Sequence, residues 1–187
     1  LCMNTETKEG FIVDPGDDEL KISANVSHIE MKPVAILLTH GHFDHIGAVE
    51  KLKKRYDIPV YASEVEDRLL LDNRANLSSM FGEPTMICAD KFLRDGENVN
   101  IAGFDIKFIL TPGHTPGSGC YYIADENVLF SGDTLFHASR GRTDFPGGSE
   151  AAIINSIKEK LLKLPGNTDV YPGHMDTTKI DNEKVYY

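Results

Sequence analysis

The chain has 187 residues, 41% hydrophobic and 26% charged, an ordinary globular composition that excludes intrinsic disorder, collagen and coiled coil. Lysine and arginine total 19 against 29 acids, and the net charge of −10 disfavours a nucleic-acid phosphate backbone as partner. No apolar run reaches the roughly 18 residues of a membrane-spanning helix, so no membrane partner is expected. The three cysteines, Cys2, Cys88 and Cys120, are odd in number and widely spaced, which argues against a disulfide framework or a thiolate metal site and for a reducing cytoplasm.

The length predicts one domain over residues 1–187. Phe11–Asp14, bounded by Gly10 and Pro15-Gly16, reads as the first clear strand. From Asp17 to about Met31 the alternation of Leu20, Ile22, Ala24 and Val26 competes with the acidic start Asp17-Asp18-Glu19; the acids favour a helix. Val34–Thr39 is a short apolar run that reads as a buried strand. In Asp44–Tyr56, Ile46, Val49, Leu52 and Tyr56 recur at helical spacing, with Lys51, Lys53, Lys54 and Arg55 near the end, and one helix is predicted. Pro59–Ala62 reads as a strand, and Ser63 with Glu66 as a capping box. Within 72–97 the pattern is indecisive, and 75–81 stays open between helix and loop. Asn98–Ile101, Asp105–Leu110, Gly119–Ala124 and Val128–Phe130 read as successive strands. Ser149–Leu164 carries the stripe Ile153, Ile154, Ile157, Leu161 and Leu164 and is predicted helical up to Pro165-Gly166, with Asp169–Tyr171 as a last strand. Such alternation predicts a layered α/β fold and leaves the strand order open.

Five of the seven histidines fall just past strand candidates, in polar or Gly-rich loops. The densest group is Thr39-His40-Gly41-His42-Phe43-Asp44-His45, with three imidazoles and a carboxylate in six residues. Nitrogen and oxygen donors at this density suit zinc or iron. In an extended segment His40 and His42 point to one side, while Asp44 and His45 at a helix start can face a second position. His114 in Pro112-Gly113-His114-Thr115, Asp133 in Gly132-Asp133-Thr134, and His174 in Pro172-Gly173-His174 also follow strand-like runs. Taken singly, each of these three reads equally as a turn or surface residue. His28 and His137 fall outside the pattern. Cys120, beside Tyr121 and Tyr122 in a strand-like run, reads as structural.

These residues resemble the metallo-β-lactamase fold superfamily, whose HxHxDH motif stands here as His40-Gly41-His42-Phe43-Asp44-His45. The resemblance runs from about Phe11 to His174 and is strongest to small single-domain members of the glyoxalase II (hydroxyacylglutathione hydrolase) group, through Thr111–Gly117, Ser131–Phe136 and Gly141-Arg142-Thr143-Asp144. It implies a four-layer αββα sandwich, with a further strand before Leu1. It implies two divalent ions, zinc foremost, with iron or manganese as alternatives. His40, His42 and His114 would hold the first, Asp44, His45 and His174 the second, and Asp133 would bridge. Asp44 and Asp133 are the residues assigned to catalysis, and Asp14 is expected to orient a ligand imidazole. The implied reaction is hydrolysis of a small-molecule thioester or related ester by a metal-bridging hydroxide. Only 13 residues follow His174, so the helical glutathione-binding domain of the larger members is not expected. Arg142 matches the family's glutathione-contacting lysine, whereas Asp144 stands where that group has a tyrosine, which weakens the case for glutathione as the thiol. Rival readings within the fold are a mono-iron persulfide dioxygenase using a subset of these ligands, a lactone hydrolase, and a di-iron electron-transfer module.

Overall fold

Two β-sheets face each other, and side-chain alternation along their strands decides what lies between and outside them. The computed structural model describes residues 1–187. Strands β1 (Cys2–Met3) and β2 (Glu9–Val13) lead through helix α1 (Glu19–His28) to β3 (Lys32–Leu37). Helices α2 (Phe43–Ile46) and α3 (Val49–Tyr56) precede β4 (Val60–Ser63). A 3₁₀ turn at Glu64–Glu66, α4 (Asp67–Leu70) and α5 (Ser78–Phe81) lead to β5 (Lys91–Leu93), completing a sheet of order β1-β2-β3-β4-β5. Then follow β6 (Asn98–Ile101), β7 (Phe104–Leu110), β8 (Gly119–Ile123) and β9 (Val128–Gly132). After the hairpin β10 (Leu135–Phe136) and β11 (Ser139–Arg140) come α6 (Glu150–Glu159), β12 (Asp169–Pro172), β13 (Thr178–Lys179) and α7 (Ile180–Glu183). The second sheet has the order β13-β12-β9-β8-β7-β6.

In β3, Ala35 and Leu37 join Phe11, Ile106, Phe108, Tyr121 and Ile123 in a buried cluster between the sheets. Their neighbours Ile36 and Leu38 join Ile12, Val26, Val49 and Leu52 beneath α1 and α3. Strand β8 behaves the same way: Tyr121 and Ile123 face the other sheet, while Cys120 and Tyr122 pack with Ile153, Ile157 and Leu161. Both faces of each sheet are therefore apolar, so each outer face must carry helices, and the result is αββα. This is the four-layer sandwich that the resemblance implies. No helix is long and apolar enough to cross a membrane.

Several local expectations are corrected. The single helix predicted over 44–56 is two, because the 15–16 turn docks at Gly47-Ala48. There the Ala48 N–H donates to the Pro15 carbonyl (2.9 Å), and a Cβ on Gly47 would overlap the Gly16 carbonyl oxygen. The helical spacing survives the break because Ile46, Val49 and Leu52 all enter one apolar cluster. Ser63 does cap, accepting from the Val65 N–H (3.2 Å), but the Glu66 carboxylate turns away from it, so no capping box forms. The helix predicted to Leu164 stops at Glu159 and gives way to a 3₁₀ turn at Leu161–Lys163. Within 75–81, Ser78–Phe81 forms one helical turn. The first predicted strand ends at Val13, and Asp14 takes a left-handed φ of 44°.

Candidate metal centre

Asp14 follows β2, the His40–His45 group follows β3, His114 follows β7, Asp133 follows β9 and His174 follows β12. Loops at strand ends are where α/β sheets collect functional groups. Here they converge into two triads, with a third donor group, Asp14, His40 and His45, spanning them. His40, His42 and His114 offer donor atoms all within 4.8 Å of one another, and so do Asp44, His45 and His174. His42 Nδ1 lies 2.9 Å from His114 Nε2. In a tetrahedral zinc site with bonds near 2.0–2.1 Å, ligand nitrogens stand about 3.3 Å apart, a spacing that the 4.8 Å limit on the triad's donors accommodates.

The outward-facing ring nitrogens are tied down. His114 Nδ1 faces the Arg142 carbonyl (2.8 Å), so it donates and leaves Nε2 as a lone pair. His45 Nδ1 faces Asp14 Oδ2 (3.0 Å). Asp14 also accepts from the Thr39 N–H (2.8 Å) and the Thr39 hydroxyl (2.6 Å), whose oxygen lies 3.1 Å from His40 Nδ1. Asp14 thus orients a ligand imidazole directly and another through Thr39.

Asp133 sits between the triads. Its Oδ2 is 3.6 Å from both His114 Nε2 and His174 Nε2, and its Oδ1 is 3.3 Å from His45 Nε2, off the line a hydrogen bond needs. A side chain at position 173 would collide with Asp133 Oδ1 and His45, so Gly173 is what allows the end of β12 to approach. Buried His40 Nε2 and Asp133 Oδ1 have no hydrogen-bond partner. Each such atom costs about 1–3 kcal/mol, a cost that metal ligation removes. The donor set fits divalent metal on its own geometry.

A family model described as the metallo-beta-lactamase superfamily matches residues 5–174. The chain belongs to that superfamily. It is 42% identical to the probable metallo-hydrolase YqgX of Bacillus subtilis, over 93% of this chain and 83% of that protein. Its identity to the hydroxyacylglutathione hydrolase GloC of Haemophilus influenzae is 34%, over 96% and 86%. Among solved structures, the BLEG-1 B3 metallo-beta-lactamase superposes with a TM-score of 0.93 at 42% identity, covering 98% of this chain and 88% of that one. TTHA1623 in a di-iron-bound form superposes with a TM-score of 0.81 at 36% identity, covering 92% and 85%. Membership makes this chain a metallo-hydrolase-superfamily enzyme, with the His-rich cluster as its candidate divalent-metal site.

The superfamily cluster is buried at one end and open at the other. His40, His42, His45 and His114 are buried, whereas Asp44 and His174 are exposed. Burial holds the His40 imidazole far below its usual range, and burial together with the charges of His114 and His45 pushes His42 down to about 3. Burial lowers His114 as well. Burial also works against a proton on His45, but the flanking carboxylates Asp133 and Asp14 outweigh it and raise that imidazole to about 10. In the metal-free protein the first triad is therefore neutral, while His45 holds a proton that a metal must displace.

The remaining sequence-predicted residues fall as follows. Arg142 forms a two-point ion pair with Asp144 (2.7 and 2.6 Å) and lies 4.0 Å over the Phe145 ring, which packs edge-on against His42. Its guanidinium borders the first triad but is engaged by an acid, while its carbonyl orients His114. His28 and His137 are exposed and outside the cluster. Cys120 is buried, and burial pushes its thiol up to about 11, as expected of a structural residue. Sequence reasoning missed the roles of Thr39 and Glu66. Thr39 directly precedes the motif and was within reach. Glu66 carries no local signal that separates it from a helix cap.

Proposed function

We propose that this protein is a dinuclear metal hydrolase of thioesters of the hydroxyacylglutathione type. The observation that carries the reading is Asp133: one buried carboxylate stands within 3.6 Å of ligand nitrogens from both triads. In this reading His40, His42 and His114 hold site one, Asp44, His45 and His174 hold site two, and Asp133 is shared. Zinc is the first candidate, with iron or manganese as alternatives. The name of the Haemophilus influenzae relative supports the substrate class, and the di-iron form of TTHA1623 supports two ions. Bound divalent ions would supply Lewis acidity and bring the pKa of a water down towards neutrality.

This chain's own residues do the rest. The exposed Asp44 and His174 mark the side from which a small molecule enters, and the buried histidines keep bulk water from the far side. A thiolate leaves without strong protonation, so no dedicated general acid is needed. Arg142 provides a planar fork for an anionic part of the substrate, in competition with Asp144. One domain acting on a small molecule, without nucleic acid or membrane, completes the reading.

The second reading is a mono-iron persulfide dioxygenase using a subset of these ligands, since histidines combined with a carboxylate also suit a single iron. The test is metal analysis of freshly purified protein beside assays on thioesters, a lactone, a β-lactam and, with oxygen uptake, a persulfide. Two metals per chain with thioester turnover is the expected result. Saturation at one iron with oxygen uptake overturns the proposal in favour of the dioxygenase. Turnover confined to the lactone or the β-lactam overturns the substrate class.

A further inference from the structure

A carboxylate stands behind each half of the metal cluster. Asp14 backs His45. The other is Glu66, which is 1% exposed and faces no cation. Its Oε1 accepts from the Gly41 N–H (3.0 Å) and the Thr115 hydroxyl (2.8 Å), and its Oε2 accepts from the Gly117 N–H (2.8 Å). A buried carboxylate without a counter-charge is costly unless its hydrogen bonds are complete, and every donor here comes from a ligand-bearing loop. Gly41 lies between His40 and His42. Thr115 and Gly117 follow His114. The first loop leaves β3 in one sheet and the second leaves β7 in the other, 72 residues separating His42 from His114.

We infer that Glu66 is a positioning residue that clamps these two loops together so that His40, His42 and His114 converge on site one. The inference rests on the dinuclear reading, and it separates the two sites. Asp14 reaches site one only through Thr39 and His40 and makes no bond to the His42 and His114 rings, and Glu66 makes none to Asp44, His45 or His174. Disturbing Glu66 should therefore weaken one metal and spare the other, which a general loss of stability would not do.

The experiment is a titration of the whole metal-free chain with Zn²⁺ against a chromophoric chelator. His42→Ala and His174→Ala identify the uptake steps of sites one and two. Glu66→Gln keeps the size but sets an amide N–H₂ against at least one of the three donors. It should weaken the His42-sensitive step about 10–100-fold, as loss of a ligand-orienting partner does elsewhere, and leave the His174-sensitive step within about threefold. Thr115→Val removes one donor to Glu66 and should weaken the same step by less. It decides the matter if circular dichroism shows Glu66→Gln to be unfolded. Equal weakening of both steps, or no weakening of either, overturns the clamp. A wild type with a single uptake step overturns the dinuclear reading instead. The clamp then stands only if His42→Ala abolishes that step and Glu66→Gln weakens it.

Discussion

Asp133→Asn separates charge from shape at the centre of the cluster. The amide matches the carboxylate in size but carries no negative charge for His45, whose proton in the metal-free protein is stabilised by Asp133 on one side and Asp14 on the other. Removing one member of a buried charge pair costs about 3–5 kcal/mol. Asp14 remains 3.0 Å from His45 Nδ1, which places the expectation at the lower end, about 3 kcal/mol. In a chain of this size each kcal/mol moves the melting midpoint by about 2–4 °C, so the metal-free variant should melt about 6–12 °C lower. Metal retention should fall at both sites, because the shared anionic ligand is lost to each. Asp133→Ala should lose more metal than any single histidine-to-alanine change, since each histidine serves one site. Calorimetry of metal-free protein and metal analysis after chelator challenge measure the two effects. An Asn variant that retains two metals under wild-type challenge and melts within about 2 °C of wild type would refute both the ion-pair and the bridging arguments.

The metal-free protein should be most stable near pH 6.5. His40, His42 and His114 refuse protons that the unfolded chain accepts, so stability falls as pH drops below about 6.5; His45, raised to about 10, contributes fully below 6.5 and loses its contribution as pH rises through 10. A midpoint that climbs steadily to pH 9 in the presence of chelator would contradict this, and His45→Gln should flatten the alkaline limb. Metal uptake at site two should release the His45 proton and tighten as pH rises, measurable as buffer-dependent heat in a calorimetric titration. Arg142→Ala should raise KM for anionic thioesters with kcat kept and leave neutral thioesters unchanged, while Asp144→Asn, by freeing the fork, should lower KM for the anionic ones. Equal damage on both substrate types removes Arg142 from substrate binding. Tyr121→Phe should cost about 1–3 kcal/mol by leaving the buried Leu38 carbonyl, which accepts from the Tyr121 hydroxyl (2.9 Å), without its donor; chemical denaturation measures it.

The density of His40, His42, Asp44 and His45 was legible because ligand chemistry there is local: six residues carry four donors whatever the rest of the chain does. The alternation of Ala35 and Leu37 with Ile36 and Leu38 likewise marks β3 as buried on both faces, since side-chain direction in a strand depends on position alone. His114, Asp133 and His174 were weaker signals singly, and only the family's order of ligands tied them to the motif. What lay beyond the sequence is whatever depends on two distant segments meeting. The break at Gly47-Ala48 depends on a turn 32 residues earlier docking there. Arg142 pairs with Asp144 and Arg140 with Glu150, a choice of partners set where the loop after the β10–β11 hairpin meets the start of α6. Glu66 reads as a helix cap in one dimension, because nothing near it in the chain reveals that its three donors come from residues 41, 115 and 117. Local patterns record which groups are buried and which can bind metal, whereas the partners of a buried carboxylate are chosen by where the two sheets bring their loops together.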